Sequence, residues 1–328
     1  VASDNFIKMR KSLMRITFRQ LQVFNEVCDL RSYSRAAEEM SLTQPAVSLQ
    51  IRQLEELIGQ PLFDYVGKKL YMTEAAEALQ LASRDIFGRL ENLDMQLSDM
   101  LGSLQGQLKL AVESSAKYFV PHLFAAFKRQ HPEVNLQLTV VNRAQAVRRL
   151  SDNRDDLVIM SMVPQDMGLE FLPFLNNPIV AVAPAEHPLC MQGPLRLQDL
   201  EPYTLLMREQ GSGTRMACEE YFKEKRVHFN QTLEVSSNES QRECAVAGLG
   251  VALLTRHAVS LELATGLLRE LPVEELPLYR SWCVVQAKAK RLSPVAHAFL
   301  GFIRSERLQI SALVERFDGH LPTQPANS

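Results

Sequence analysis

The chain has 328 residues, 46% of them hydrophobic, enough to bury two ordinary domain cores rather than one small one. Its 36 basic and 38 acidic residues leave a net charge of -2, so whole-chain electrostatics do not announce a nucleic-acid partner. Cys28, Cys190, Cys218, Cys244 and Cys283 form no C-x-x-C pair and are odd in number, so neither a disulfide framework nor a zinc site is indicated.

No run reaches the roughly 18 apolar residues of a membrane span, and no signal-peptide core opens the chain, so a cytoplasmic location is expected. Residues 1–16 read as an extension in which Met14, rather than Val1, is the expected start. Over residues 18–30, Phe18, Leu21, Val23, Phe24 and Val27 recur at helical spacing behind Thr17 in the N-cap position. Ser34 is expected to cap a second, short helix at 35–40, whose Ala36 and Ala37 admit a close neighbour. Thr43 then caps a third, with Pro45 in its first turn and Gly59 at its end. At about 100° per residue, Val47, Ile51, Leu54 and Ile58 fall on one face and Gln44, Pro45, Ser48, Leu49 and Arg52 on the other. One face packs; the other is free to read a DNA groove.

Residues 64–72, with Gly67, Lys68 and Lys69 at the tip, read as a hairpin placing two lysines near phosphates. Residues 8–70 hold ten Lys or Arg against seven acids, a local charge of +3. A long helix opens at Thr73 and Glu74. Along it Ile86, Leu90, Leu93, Leu97, Met100 and Leu104 repeat at spacings of 4, 3, 4, 3 and 4, a seam that asks for a second copy. Residues 102–106 read as a hinge.

Beyond it, short apolar runs alternate with helical stretches, the pattern of an α/β domain. Strands are expected at 108–112, 134–141, 157–160, 169–172, 179–183, 203–207, 233–236, 251–254 and 282–286. Helices are expected from Ser114 through Arg129 and at 144–150, 214–224, 238–247 and 294–304, with Met162, Val163 and Pro164 as the crossover between two halves.

The run Phe18-Arg-Gln-Leu, Tyr33-Ser-Arg-Ala-Ala-Glu-Glu, Leu42-Thr-Gln-Pro-Ala-Val-Ser-x-Gln-Ile, Leu54-Glu-x-x-x-Gly and Pro61-Leu-Phe resembles the DNA-binding domain of LysR-type transcriptional regulators. That resemblance implies an α/β protein with an N-terminal winged helix-turn-helix (17–73), a dimerising linker helix (74–101), a hinge (102–106) and a two-lobed, periplasmic-binding-protein-like effector domain. Lobe I is then 107–164 plus 270–316, lobe II is 165–269, and 317–328 is a tail. Ala116-Lys-Tyr-Phe-x-Pro, Asn142-Arg143, Asn177-Pro178, His187-Pro188-Leu189, Arg208-Glu-x-Gly-Ser-Gly-Thr-Arg and Ser236-Ser-Asn-Glu are similar to the CbbR group, which regulates carbon-fixation operons and senses phosphorylated metabolites or NADPH. An operon of another kind with another effector stays open, because subgroup motifs outlive changes of ligand. The chain departs from the family at Tyr65, where a basic residue is common, and at Ala76, where glycine is.

For DNA, Gln44 suits an adenine edge, Pro45 and Ser48 groove and methyl contacts, and Arg52, Lys68 and Lys69 phosphates, with Thr43 and Arg35 beside them. Leu49 fits either a thymine methyl or packing under the wing. A single module buries only ~600–1,000 Å² on DNA, so tight binding calls for paired half-sites and a dimer or tetramer. RNA polymerase is left open as a further partner.

For the effector, helix N-termini collect anions. Three are expected after strands, at Ser114-Ser115-Ala116-Lys117, at Gly211-Ser212-Gly213-Thr214-Arg215 and at Ser237-Asn238-Glu239; Asn142 and Arg143 can reach the same cleft. The plain alternative is that Ser114, Ser115, Thr214 and Ser237 only cap helices and Arg143 is solvated. An anionic phosphorylated or carboxylic metabolite, or NADPH, is the expected ligand, with no metal and no resident cofactor. Gly211-Ser212-Gly213 is not a nucleophile elbow, and Gly248-x-Gly250 precedes a strand rather than a helix, so catalysis is not expected. A solute-binding protein without DNA-linked function would need export.

Overall fold

In the computed structural model the described residues are 13–67, 69–100, 104–306, 309, 310 and 312, the side chains of 98–100 excepted. Lys68, the Met100 side chain and positions 102 and 103 of the expected hinge lie outside them. The chain divides into two units, 1–91 and 92–328.

In the first unit, helix α1 (Phe18–Leu30) starts in a capping box: the Thr17 hydroxyl accepts from the Gln20 amide, and the Gln20 side chain accepts from the Thr17 amide. Helix α2 spans Tyr33–Glu39 and is capped by Ser32, two residues before the expected Ser34. Ser32 wins because it has the extended backbone of an N-cap, while Ser34 already lies inside the helix. Helix α3 (Gln44–Ile58) is capped by Thr43 and ends at Gly59, whose φ of 78° is the left-handed conformation glycine adopts without strain. Val23, Phe24 and Val27 of α1, Ala36 and Ala37 of α2, and Val47, Ile51 and Leu54 of α3 share one core. Phe18, expected on the packed face of α1, is instead exposed, with its ring 6.1 Å from Phe87.

Strands β1 (Phe63–Val66) and β2 (Lys69–Met72) pair antiparallel, Val66 opposite Lys69, as the wing. Thr73 accepts from the Ala76 amide at the start of helix α4 (Glu74–Met100). The first half of α4 is tied to α1 by Asn25 donating to Ser83 at 2.9 Å and Arg84 donating to Asp29 at 2.9 Å.

The second unit is built on one mixed nine-stranded sheet. Its elements are β3 (Gly106–Glu113), α5 (Val120–Gln130), β4 (Val134–Val141), α6 (Arg143–Ser151), β5 (Leu157–Met160), β6 (Leu169–Pro184), β7 (Leu205–Arg208), α7 (Gly213–Lys225), β8 (Thr232–Val235), α8 (Asn238–Val246), β9 (Val251–Thr255), α9 (Ser260–Thr265), β10 (Leu268–Glu270), β11 (Leu278–Ala287) and α10 (Pro294–Ser305). Strand order is β4-β3-β5-β11-β6-β9-β7-β8, with β10 on β6. Parallel pairs β3/β4, β3/β5, β7/β8 and β7/β9 mark two α/β lobes. Between Ser114 and α5 the chain makes only a 3-10 turn, so the long helix expected from Ser114 begins later, at Val120.

The lobes are joined by β6 and β11, which pair antiparallel along both. The two strands expected at 169–172 and 179–183 are one, β6, and the passage between lobes lies near Asn176–Pro178 and Arg280–Trp282, later in the chain than Met162–Pro164. The register slips between Trp282 and Cys283, a bulge where the long ribbon leaves one lobe for the other. Leu108, Leu110, Phe119, Phe127, Trp282 and Phe299 centre the lobe I core; Ile179, Leu205, Ala217, Phe222 and Leu253 belong to the core of lobe II. Leu104, the last position of the expected seam, packs on the lobe I core instead.

Candidate functional site

On α3, packing of Val47, Ile51 and Leu54 inward turns Gln44, Pro45, Ser48, Leu49 and Arg52 outward. Thr43, Arg35 and Lys69 are exposed as well. Leu49 is 53% exposed, so it is not packed beneath the wing. Arg52 meets Glu56 at 3.4 Å in a well-exposed pair that a phosphate can displace at little cost. Tyr65, the departure from the family's basic residue, is exposed and stacks its ring 6.5 Å from Tyr33.

Along α4, Ile86, Leu90, Leu93 and Leu97 are 39–54% exposed. Met95, off the seam, is buried against Gly106.

In the second unit the three strand-to-helix junctions meet at the faces of the two lobes. Ser115 is buried, its hydroxyl 3.3 Å from that of Thr214, and the Asn238 amide nitrogen donates to it at 3.1 Å. At their centre lies Arg208, the last residue of β7, only 2% exposed. Its guanidinium donates to Ser114 of lobe I at 3.3 Å, to Asn238, and through Nε and Nη2 to the two carboxylate oxygens of Glu209 at 2.8 and 3.1 Å. Asn142 caps α6 and also donates to Glu209 from lobe I at 3.5 Å.

A second acid, Glu113, ends β3 fully buried. It accepts from the backbone and hydroxyl of Ser161 at 2.8 and 3.1 Å and lies against the α carbon of Gly213. Burial pushes its carboxyl above the ordinary range, opposed by the Ser161 hydrogen bonds and by Arg143 and Arg208. Glu239 behaves oppositely. Burial would raise it, but Lys117 at 2.5 Å, its own amide and the Tyr118 hydroxyl at 3.0 Å together bring it down to about 2.

Ser114, Ser115, Thr214 and Asn238 are thus brought together. Lys117 joins the lobes through Glu239 but spends its charge there. Ser212 and Ser237 act as N-caps, accepting from the amides of Arg215 and Ser240. Arg143 donates to the Met162 carbonyl at 2.8 Å. Arg215, in the first turn of α7, donates to Glu219 at 2.7 Å, to Glu234 at 2.5 Å and to the Arg208 carbonyl at 2.8 Å, so its charge is spent on the two acids. The sequence patterns do not single out Arg208, Glu209 or Glu113, which the structure places in the cluster. Arg208 and Glu209 stand in the motif quoted above, and an acid ending an otherwise buried apolar strand was the available signal for Glu113.

A winged helix-turn-helix with a free recognition face, joined in one chain to two α/β lobes whose facing ends meet in a buried polar cluster, defines a DNA-binding regulator controlled by a small molecule. The chain matches the family models "Bacterial regulatory helix-turn-helix protein, lysR family" over residues 18–101 and "LysR substrate binding domain" over 101–307, and it belongs to the LysR family of transcriptional regulators. It is 40% identical over 287 residues to the HTH-type transcriptional activator CmpR of Synechocystis sp., covering 88% of this chain and 94% of that one. It is 41% identical over 293 residues to the RuBisCO operon transcriptional regulator of Allochromatium vinosum, covering 89% and 97%. Among solved structures, the Synechocystis CcmR regulatory domain in complex with 2-PG is similar at a TM-score of 0.59 and 36% identity, covering 61% of this chain and 97% of that chain.

Proposed function

We propose that the chain controls a carbon-fixation type of operon, and that a small phosphorylated or carboxylic metabolite bound at the Arg208 cluster sets its state. The observation that carries this is the buried guanidinium, which reaches from lobe II to Ser114 of lobe I among the hydroxyls of Ser115 and Thr214 and the amide of Asn238. Such a set of donors, shielded from water, is what an anion needs for charge-assisted binding. Support also comes from the relatives named above: two regulators at about 40% identity and a regulatory domain solved with 2-PG.

The apolar seam on α4 supports a dimer through paired linker helices, with effector domains assembling dimers into tetramers. Gln44, Pro45, Ser48 and Leu49 read bases; Arg52, Lys68 and Lys69 hold phosphates. An effector that prefers one arrangement of the lobes shifts its population, and the spacing of paired DNA-binding domains, hence the bend of the DNA, follows. The chain regulates and does not catalyse, and it works in the cytoplasm. Among the described residues no helix is long and apolar enough to cross a membrane.

The test is a thermal-shift series on the full-length protein with 2-PG, inorganic phosphate, NADPH and an uncharged polyol, followed by footprinting and DNA bending with any binder. A ligand at a hundred times its Kd adds about 2.7 kcal/mol of stability, readily seen as a raised midpoint. No shift with any anion, or a shift without change in footprint or bend, rejects the effector half of this reading.

A further inference from the structure

Resting on the anion-binding reading of the cleft, we infer that Glu209 is the cleft's resident counter-ion, occupying the Arg208 fork that an anionic effector takes over. The geometry is that of a bound ligand. The two Glu209 oxygens accept from Nε and Nη2 of Arg208 at 2.8 and 3.1 Å, the parallel arrangement by which arginine grips a carboxylate or a phosphate. Asn142 donates to the same carboxylate from the opposite lobe.

Of the other three N–H groups, one on Nη1 goes to Asn238 and one on Nη2 to Ser114, and the single N–H that is left cannot make a second fork. An entering anion therefore finds one charged edge of Arg208, and it already carries a carboxylate. Both cannot stay, because two anions on one fork repel at contact distance in a poorly solvated site. Of the nearby cations, Lys117 is neutralised by Glu239, while Arg143 keeps its charge but is anchored through Nε to the Met162 carbonyl rather than on the fork. Glu209 is the group that can leave: it is 20% exposed where Arg208 is 2% exposed, and rotation of its side chain carries the carboxylate to water. Its departure frees Asn142 to donate to the newcomer across the lobes. Glu209 then sets the effector threshold, as a competitor tethered at a fixed local concentration.

The experiment measures 2-PG and inorganic phosphate binding to full-length protein by calorimetry, in wild type, Glu209→Gln, Glu209→Ala and Arg208→Lys. Glu209→Gln keeps the side chain's size and removes its charge, so it is expected to bind 2-PG about tenfold more tightly, the worth of one charge-assisted interaction. Glu209→Ala, which removes the carboxylate altogether and leaves Asn142 free for the newcomer, is expected to tighten both anions likewise; it keeps the test decisive if Glu209→Gln fails to fold. Arg208→Lys, which cannot offer a fork, is expected to weaken both ligands. A purely structural Glu209 would give equal or weaker binding in Glu209→Gln, and that result overturns the inference while leaving the effector site standing. Wild type that binds neither anion overturns both.

Discussion

Gly213→Ala tests the contact between the lobes most sharply, because local propensity and tertiary packing predict opposite signs. Gly213 has no left-handed backbone to protect, and alanine in place of glycine favours a helix by up to about 1 kcal/mol. The structure says otherwise: a β carbon there would lie 1.7 Å from Oε1 and 2.7 Å from Cδ of Glu113, on a carboxyl that is fully buried. Glu113 must move. Overpacking of this kind costs about 1–3 kcal/mol. Losing even one of its two Ser161 hydrogen bonds costs about 1.5–3 kcal/mol if the acceptor is charged, less if it is protonated. A net loss of about 2–4 kcal/mol is expected, a midpoint fall of roughly 5–15 °C for a unit of this size. Trp282, the single tryptophan, is fully buried in the lobe I core, so its fluorescence reports this unit's melting without a signal from the DNA-binding unit. The double variant Gly213→Ala with Glu113→Ala removes the obstructing carboxyl and should recover at least half of the alanine penalty relative to Glu113→Ala alone. A Gly213→Ala protein that melts with wild type, or penalties that simply add, would refute the packing.

Leu90→Lys, in the exposed α4 seam, should shift the protein toward monomer in sedimentation and weaken operator binding far more than it changes the helix-turn-helix fold. Gln44→Ala and Ser48→Ala should lower operator affinity by about 1–3 kcal/mol per lost base contact with little change on random DNA; a uniform loss on both would make them positioning residues. Glu239 is depressed from 4.5 to about 2, so the stability it lends is complete above 4.5 and is lost as pH falls toward 2; Lys117→Met should flatten that part of the Trp282 melting profile. Glu113 has the opposite sign. Its carboxyl is raised, so its contribution is complete below the ordinary carboxylate range and declines as pH climbs through the folded value; Glu113→Gln should remove that decline.

The helix-turn-helix was legible because its determinants are local. Thr17 and Thr43 cap the helices they precede, Val47, Ile51 and Leu54 recur at the helical period, and Gly59 ends α3 in the one conformation that glycine adopts freely. Even there the α2 cap fell on Ser32 and not Ser34, since two serines two residues apart offer the same chemistry and only the backbone path chooses between them. The alternation of strands and helices announced an α/β domain for the same reason, and the resemblance to the LysR-type regulators implied its two lobes. It could not show that the strands expected at 169–172 and 179–183 are one. Two separate apolar runs are all that local pattern shows there, while the partner that holds Asn176, Asn177 and Pro178 extended between them, β11, comes about a hundred residues later.

The cleft divides along the same line. Serines and an asparagine at three strand ends said that helix N-termini would be there, and Ser114, Ser115, Thr214 and Asn238 do meet. Which charges stand among them is a matter of where each side chain is aimed after folding. Arg215 goes to Glu219 and Glu234, Lys117 to Glu239, and Arg208, one strand end earlier, becomes the buried cation with Glu209 upon it. By itself the sequence determined the elements, their order and the family, because caps and periodicities act over a few residues. Only the tertiary structure decided the charge pattern of the site, because an ion pair depends on side chains brought together from distant parts of the chain, and every candidate arginine looks alike until its neighbours are in place.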